Sequence, residues 1–201
     1  MGYSYEETIR RAFKSIIDER GIDHLVHFTD LRNLESILEH GILTRKELES
    51  SDIVQALGNG DARFDGNKDA TCCSVQYPNM PLYQAKQRRS EFEYAFLILS
   101  TDIIVDKDCA FYPGNASEGW LSRRPIKKLS TSWAFEDMFA EVVKGERDGL
   151  IENETTHESA EVHVFDSIEP DYIDQIVIDD ESYRIEFTEK YTDFEFLNWP
   201  W

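Results

Sequence analysis

GIDHLVHFTDLRNLESILEHGIL, residues 21–43, is the stretch from which the fold is read. Val26 and Phe28 form one edge of a short buried strand, His24–Phe28. Thr29 or Asp30 then caps a helix, because a side-chain oxygen there can accept from free first-turn amides. Leu31, Leu34, Ile37 and Leu38 recur at helical spacing, so one apolar face packs inward. Gly41 supplies the left-handed residue that stops the helix. A strand, turn and helix in this order set His27, Thr29 and Asn33 beside a helix N-terminus, where free N–H groups favour an anionic ligand.

Working outward, Ser4 and Glu7 make a capping box ahead of a helix whose apolar face is Ile9, Phe13, Ile16 and Ile17, ended by Gly21. After residue 43, Arg45–Leu57 is mixed and partly helical, and Gly58–Asp69 is a loop by composition. Strands are expected at Ala70–Val75, Tyr94–Leu99, Ile103–Val105, Cys109–Tyr112, Ala160–Phe165, Tyr172–Ile178 and Arg184–Phe187. A helix begun at Pro81 covers Leu82–Arg89, and Ser132 caps another over Trp133–Lys144 with Phe135, Met138, Phe139 and Val142 inward. The aromatic tail FEFLNWPW suits docking on the core or on a partner. The order gives an α+β fold, a mixed sheet flanked by helices, with no internal linker.

The 201 residues suffice for one domain with a full core. No apolar run is long enough to span a membrane, and the start, MGYSYEETIRRAF, lacks the basic-then-apolar order of a secretory signal. Glu6 stands where a myristoylation signal needs Ser or Thr. Three cysteines, Cys72, Cys73 and Cys109, form no C-x-x-C and fit a reduced cytosol as packed thiols. The net charge of −19 excludes a protein that coats nucleic acid. Action on a nucleic acid would need a local basic patch, for which Lys86–Arg89 (KQRR) and Arg123–Lys128 (RRPIKK) are the candidates. The same acidity suits a basic protein partner.

His24 and His27 do not make a metal pair, since residues three apart on a strand face opposite sides, and no ligand cluster completes the set. No phosphate-cradling G-x-x-x-x-G-K or G-x-G-x-x-G occurs. Arg63 sits in a glycine-flanked loop, as a residue that reaches a ligand phosphate does. Glu161 opens an otherwise apolar strand, either as a solvated strand end or as a positioned catalytic group. Asn115 follows a strand in a polar loop and is either a turn former or a ligand contact.

Taken together, H-F-T at 27–29, N-L-x-x-I-L-x-H-G-I-L at 33–43, R-F-D-G at 63–66, C-S-V-Q-Y-P-N at 73–79 and A-E-V-H-V-F at 160–165 resemble the DarT family. These are ADP-ribosyltransferases of bacterial toxin–antitoxin and anti-phage systems that modify bases in single-stranded DNA. R-F-D-G, S-x-x-x-P-N and C-A-F-Y-P-G-N at 109–115 are similar to the guanine-modifying branch. The resemblance covers about 24–179 and implies one ADP-ribosyltransferase-like domain over 1–201, with an added helix at 4–20 and a tail at 190–201. It implies that NAD is the co-substrate and that no metal is required. His27 and Thr29 would hold the nicotinamide end, and Asn33 the nicotinamide-side ribose or a phosphate. Arg63 would pair with the pyrophosphate and help deprotonate the base. Glu161 would bond the ribose 2′-hydroxyl and stabilise the departing sugar cation. Asn115, Arg123 and Arg124 would meet the nucleic acid, DNA or RNA. An antitoxin, either a macrodomain hydrolase or a small inhibitor, would neutralise the activity in the cytoplasm. Ser159, two residues before Glu161, stands where arginine-modifying transferases carry a second acid, which argues against arginine as acceptor. Transfer to a protein, tRNA or small molecule, and NAD binding without turnover, are the alternatives.

Overall fold

The computed structural model describes residues 4–53, 67–89 and 93–198. Helix α1 (Tyr5–Arg20) starts at the Ser4–Glu7 capping box and stops at Gly21, whose φ of 63° is left-handed. Phe13, Ile16 and Ile17 are buried, whereas Ile9 is exposed on the helix flank. Strand β1 (His24–Asp30) runs two residues past the expected Phe28. A 3-10 turn, Leu31–Asn33, leads into α2 (Leu34–His40). Leu31, Leu34, Ile37 and Leu38 are all buried, as their spacing requires. Gly41 is not left-handed helical: its φ of 81° comes with ψ −179°. Glycine is needed because a Cβ there would lie 2.3 Å from the Ile168 carbonyl oxygen, where Ile42 and Ile168 bridge.

The remaining elements are α3 (Arg45–Glu49), β2 (Thr71–Val75), α4 (Met80–Gln87), β3 (Tyr94–Ser100), α5 (Asp102–Asp106), β4 (Cys109–Tyr112), α6 (Ile126–Leu129), α7 (Ser132–Asp137), β5 (Glu161–Val164), β6 (Ile173–Ile178), α8 (Glu181–Lys190) and β7 (Glu195–Leu197). The sheet has seven strands in the order β4-β5-β2-β1-β3-β6-β7, antiparallel except for the parallel β6–β7 pair.

Three expectations fail. Residues 103–105 lie in α5, where burial of Ile103 and Ile104 on one side of a single turn mimics a short apolar strand. Residues 184–187 lie in α8, because the Asp180 carboxylate accepts from the Ser182 and Tyr183 amides and nucleates a helix instead. The expected Trp133–Lys144 helix is only α7, capped by Thr131 rather than Ser132, and Val142 is 88% exposed beyond its end. The tail does dock: β7 adds to the sheet edge and Phe196 packs on the core.

Register sorts the sheet into two faces. Leu25, Leu97, Cys73, Val75, Phe111, Val162, Val164 and Ile176 face the main core, with side chains of α1, α2, α5 and α7 over them. The opposite face carries, from strand to strand, Phe96 and Ile98, Val26 and Phe28, Ser74 and Cys72, Glu161 and His163, then Tyr112 and Ala110. Among the described residues, that second face is covered at its two ends. Tyr83 of α4 packs with Phe28 and Phe96 at one, and Ala116, Leu121 and Leu129 pack on Ala110 and Tyr112 at the other.

Candidate active site

The β1–β2 ladder pairs Leu25 with Val75 and Val26 with Ser74 and goes no further. Beyond it, His27 spans the divergence: its Nδ1 lies 2.8 Å from the Cys72 carbonyl oxygen. A carbonyl only accepts, so Nδ1 carries the proton. β2 instead pairs with β5, with Cys72 directly opposite His163. Across this pair Cys72 Sγ is 3.3 Å from His163 Nε2, and the same nitrogen is 3.0 Å from Glu161 Oε2. The His27 ring thus meets the main chain of Cys72, and on the other face of β2 side-chain contacts run from Cys72 through His163 to Glu161.

His163 is completely buried, and the Glu161 side chain is 13% exposed. Burial alone would lower the His163 pKa, but the Cys72 sulfur and the Glu161 carboxylate, both hydrogen-bonded to it, raise it to about 10. The ring therefore favours its charged form and holds the Glu161 carboxyl in place. Its Nδ1 lies 3.3 Å from the Asn67 amide nitrogen, which also meets the Tyr112 hydroxyl at 3.3 Å. The Tyr112 ring lies 4.5 Å from the imidazole, closing its other side.

Thr29 and Asn33 are both buried, and Asn33 Nδ2 donates to Thr29 Oγ1 at 2.9 Å. Asn33 Oδ1 is buried with no hydrogen-bond partner among the described residues. An orphaned buried acceptor costs about 1–3 kcal/mol unless something donates to it, which suits a ligand hydroxyl better than a phosphate. The anion expected at this turn is the chain's own. Asp30 accepts from the Arg32 amide at 3.0 Å and from its guanidinium at 2.9 and 2.7 Å. Burial acts to raise the Asp30 pKa, but the bonds from Arg32 outweigh it and hold the group below the usual carboxylate value.

Arg63 lies outside the described residues. Asn115 is a turn former: its Oδ1 accepts from the Ser117 amide at 2.9 Å and from the Ser117 hydroxyl at 2.5 Å. Arg123 is exposed, and Arg124 stands 5.8 Å over the ring of Trp120, itself 59% exposed. Trp120 is a residue the sequence reading passed over; a tryptophan in a polar loop just before two arginines was the available signal. Lys86 stands 5.8 Å over the Phe28 ring at the other end of the same sheet face. Both basic segments thus flank the face that carries Glu161.

One further sequence reading changes. Cys72, taken as a packed thiol, is half-buried and bonded to a histidine. Cys73 and Cys109 are packed thiols, with burial pushing the Cys109 pKa up to about 12 and that of Cys73 well above its usual value. The rings of His24 and His27 reach separate carbonyls, of Gln76 and Cys72, as expected for residues that do not converge. A cavity of about 580 Å³ opens beside Tyr77, Pro78, Glu146, Glu154, His157 and Glu158, and one of about 310 Å³ beside Asp30, Arg32, Glu93 and Tyr183. Neither is lined by Glu161, and the carboxylates of the larger make it a poor seat for a pyrophosphate.

No curated protein matches the chain by sequence. Solved structures match by fold. Thermosipho africanus DarTG in complex with ADP-ribose is 16% identical, with a TM-score of 0.53 over 88% of this chain and 50% of that one. Thermus sp. 2.9 DarT in complex with NAD+ is 14% identical, with a TM-score of 0.53 over 87% and 94%. The same protein in complex with ADP-ribosylated ssDNA is 13% identical, with a TM-score of 0.54 over 89% and 95%. The chain thus spans half of the DarTG chain and nearly all of the Thermus DarT chain. The sequence model described as "ssDNA thymidine ADP-ribosyltransferase, DarT" matches residues 26–200, taking in the tail as well as the motifs. On that match the chain belongs to the DarT family of NAD-dependent ADP-ribosyltransferases.

Proposed function

We propose that this chain transfers ADP-ribose from NAD to a base of single-stranded DNA, with Glu161 as the catalytic carboxylate. The observation that carries the reading is Glu161 itself. It is a nearly buried acid, held by a buried imidazolium, on a sheet face flanked by the two basic segments. As nicotinamide leaves, positive charge develops on the ribose. A fixed carboxylate in a dry setting stabilises that charge, and a base nitrogen attacks from the opposite side with inversion at the sugar. The base nitrogen loses its proton on forming the new bond.

His27 and Thr29 hold the nicotinamide end of NAD. The orphaned Asn33 oxygen accepts from a ribose hydroxyl. Arg63 pairs with the pyrophosphate and helps take the proton from the base. In sequence it stands four residues before Asn67, whose amide touches His163. Arg123 and Arg124 bind DNA phosphate, and Trp120 offers a ring on which a base stacks. Asn115 shapes the loop that presents them.

The target is guanine if the 63–66 and 109–115 motifs govern the choice, and thymine if this chain follows the description of the matching family model. A toxin of this kind needs a neutralising antitoxin, and the net charge of −19 favours one with a basic face. Cytoplasmic anti-phage defence is the setting that fits; among the described residues no helix is long and apolar enough to cross a membrane. Incubation with labelled NAD and equal amounts of single-stranded DNA, RNA and protein tests the acceptor. Label enters DNA, and mass spectrometry of digested nucleosides identifies the base; label confined to protein or RNA overturns the reading.

A further inference from the structure

The Cys72–His163–Glu161 cluster holds more chemistry than the proposed reaction uses. A thiol, an imidazole and a carboxylate each present one donor atom, and all three atoms lie within 4.8 Å of one another. The backbone enforces this: Cys72 and His163 are paired in the β2–β5 ladder, and Glu161 is two residues from His163 on the same face. Separations are 3.3 Å from Sγ to Nε2 and 3.0 Å from Nε2 to Oε2. Tetrahedral zinc, with bonds of about 2.3 Å to sulfur and 2.0–2.2 Å to nitrogen and oxygen, spaces its ligands about 3.3–3.6 Å apart. The two edges through Nε2 meet that geometry with shifts of a few tenths of an ångström, and the third, from Sγ to the carboxylate, lies within 4.8 Å and closes by rotation at the side-chain ends.

We propose that Cys72, His163 and Glu161 form a Zn2+ site that switches the enzyme off by capturing its catalytic carboxylate. The three donors are the thiolate, imidazole and carboxylate set that selects zinc over magnesium or calcium, and three protein ligands leave a fourth position for water. Asn67 supplies the outer support. Its amide lies 3.3 Å from His163 Nδ1, the nitrogen away from the metal, and a rotation of that amide would present its oxygen to the Nδ1 proton, as the partner of a metal-bound imidazole does. Ion entry is on the side where Cys72 is half-buried and Glu161 is 13% exposed. The inhibitory half of the proposal rests on Glu161 being catalytic; the binding half does not.

Co2+, a spectroscopic stand-in for Zn2+, tests the binding half. Titration of the metal-free full chain gives a thiolate-to-cobalt charge-transfer band and tetrahedral ligand-field bands that saturate at one equivalent and vanish when Zn2+ is added. Cys72→Ser loses the charge-transfer band and binds Zn2+ at least about tenfold more weakly. In the wild-type chain, Zn2+ shields Cys72 from iodoacetamide, as peptide mass spectrometry reads, which keeps the test independent of any variant's folding. Absence of the thiolate band, or a Cys72 alkylated equally with and without Zn2+, overturns the site. For the inhibitory half, NAD turnover falls with the same midpoint as Zn2+ binding and returns on adding a chelator. Full turnover by zinc-saturated protein overturns it. Failure of the catalytic reading shows separately, as unchanged turnover of metal-free Glu161→Gln.

Discussion

Glu161 and His163 act as one unit, because among the described residues the imidazolium is the charge of opposite sign placed on the carboxylate. Replacing His163 with Gln keeps a donor but removes the charge and the ring. Turnover then falls about 10- to 100-fold while the KM for NAD moves less than about threefold, as steady-state kinetics will read, since the ring positions the acid rather than touching NAD. The same pair gives a pH signature. The imidazole pKa rises from 6.5 to about 10 on folding, so its stabilising contribution is complete below pH 6.5 and is lost as pH climbs through about 10. Thermal unfolding of wild type and His163→Gln across this range shows a gap that is widest at the acid end and closes at the alkaline end. Asn33→Ala removes the orphaned acceptor and weakens NAD binding about 2- to 10-fold by calorimetry, the worth of one hydrogen bond. Glu161 was legible in the sequence because a charge opening an apolar strand is conspicuous. Its partnership with Cys72 was not, since the two are joined through His163, 91 residues from Cys72 in sequence.

At the scale of elements, most strands and the first helix were legible, because alternation and capping are local. The failures share a cause. α5 is a single turn and α8 buries only Phe187, so neither shows the recurring apolar face by which a helix is recognised. Gly41 shows a different limit. Its place at a helix end was visible, but its reason, the Ile168 carbonyl at the Ile42–Ile168 bridge, is a contact distant in sequence. Gly41→Ala combines a disfavoured φ with a backbone clash and lowers stability by about 2–4 kcal/mol, measured by urea unfolding. A change under about 0.5 kcal/mol would mean that the bridge does not form as described.

Across the whole molecule, a net charge of −19 sets a field that repels DNA, so binding depends on the few cations beside the site. Arg123→Ala and Arg124→Ala each lower the salt dependence of single-strand binding by about 0.7 in the log–log slope. Trp120→Ala costs about 1–3 kcal/mol of affinity with an unchanged slope, the mark of stacking rather than charge. Fluorescence titration at several salt concentrations separates the two. Composition made this dependence on local patches visible. Which sheet face the patches flank came only from the strand register.

The central claim is that Glu161 stabilises the ribosyl cation without being needed to bind NAD. Glu161→Gln, assayed for transfer to single-stranded DNA beside calorimetric NAD binding, is the most direct measurement. The account predicts transfer reduced at least about 100- to 1000-fold with NAD affinity within about threefold of wild type. Transfer at the wild-type rate, or transfer and NAD binding lost in proportion, would contradict it.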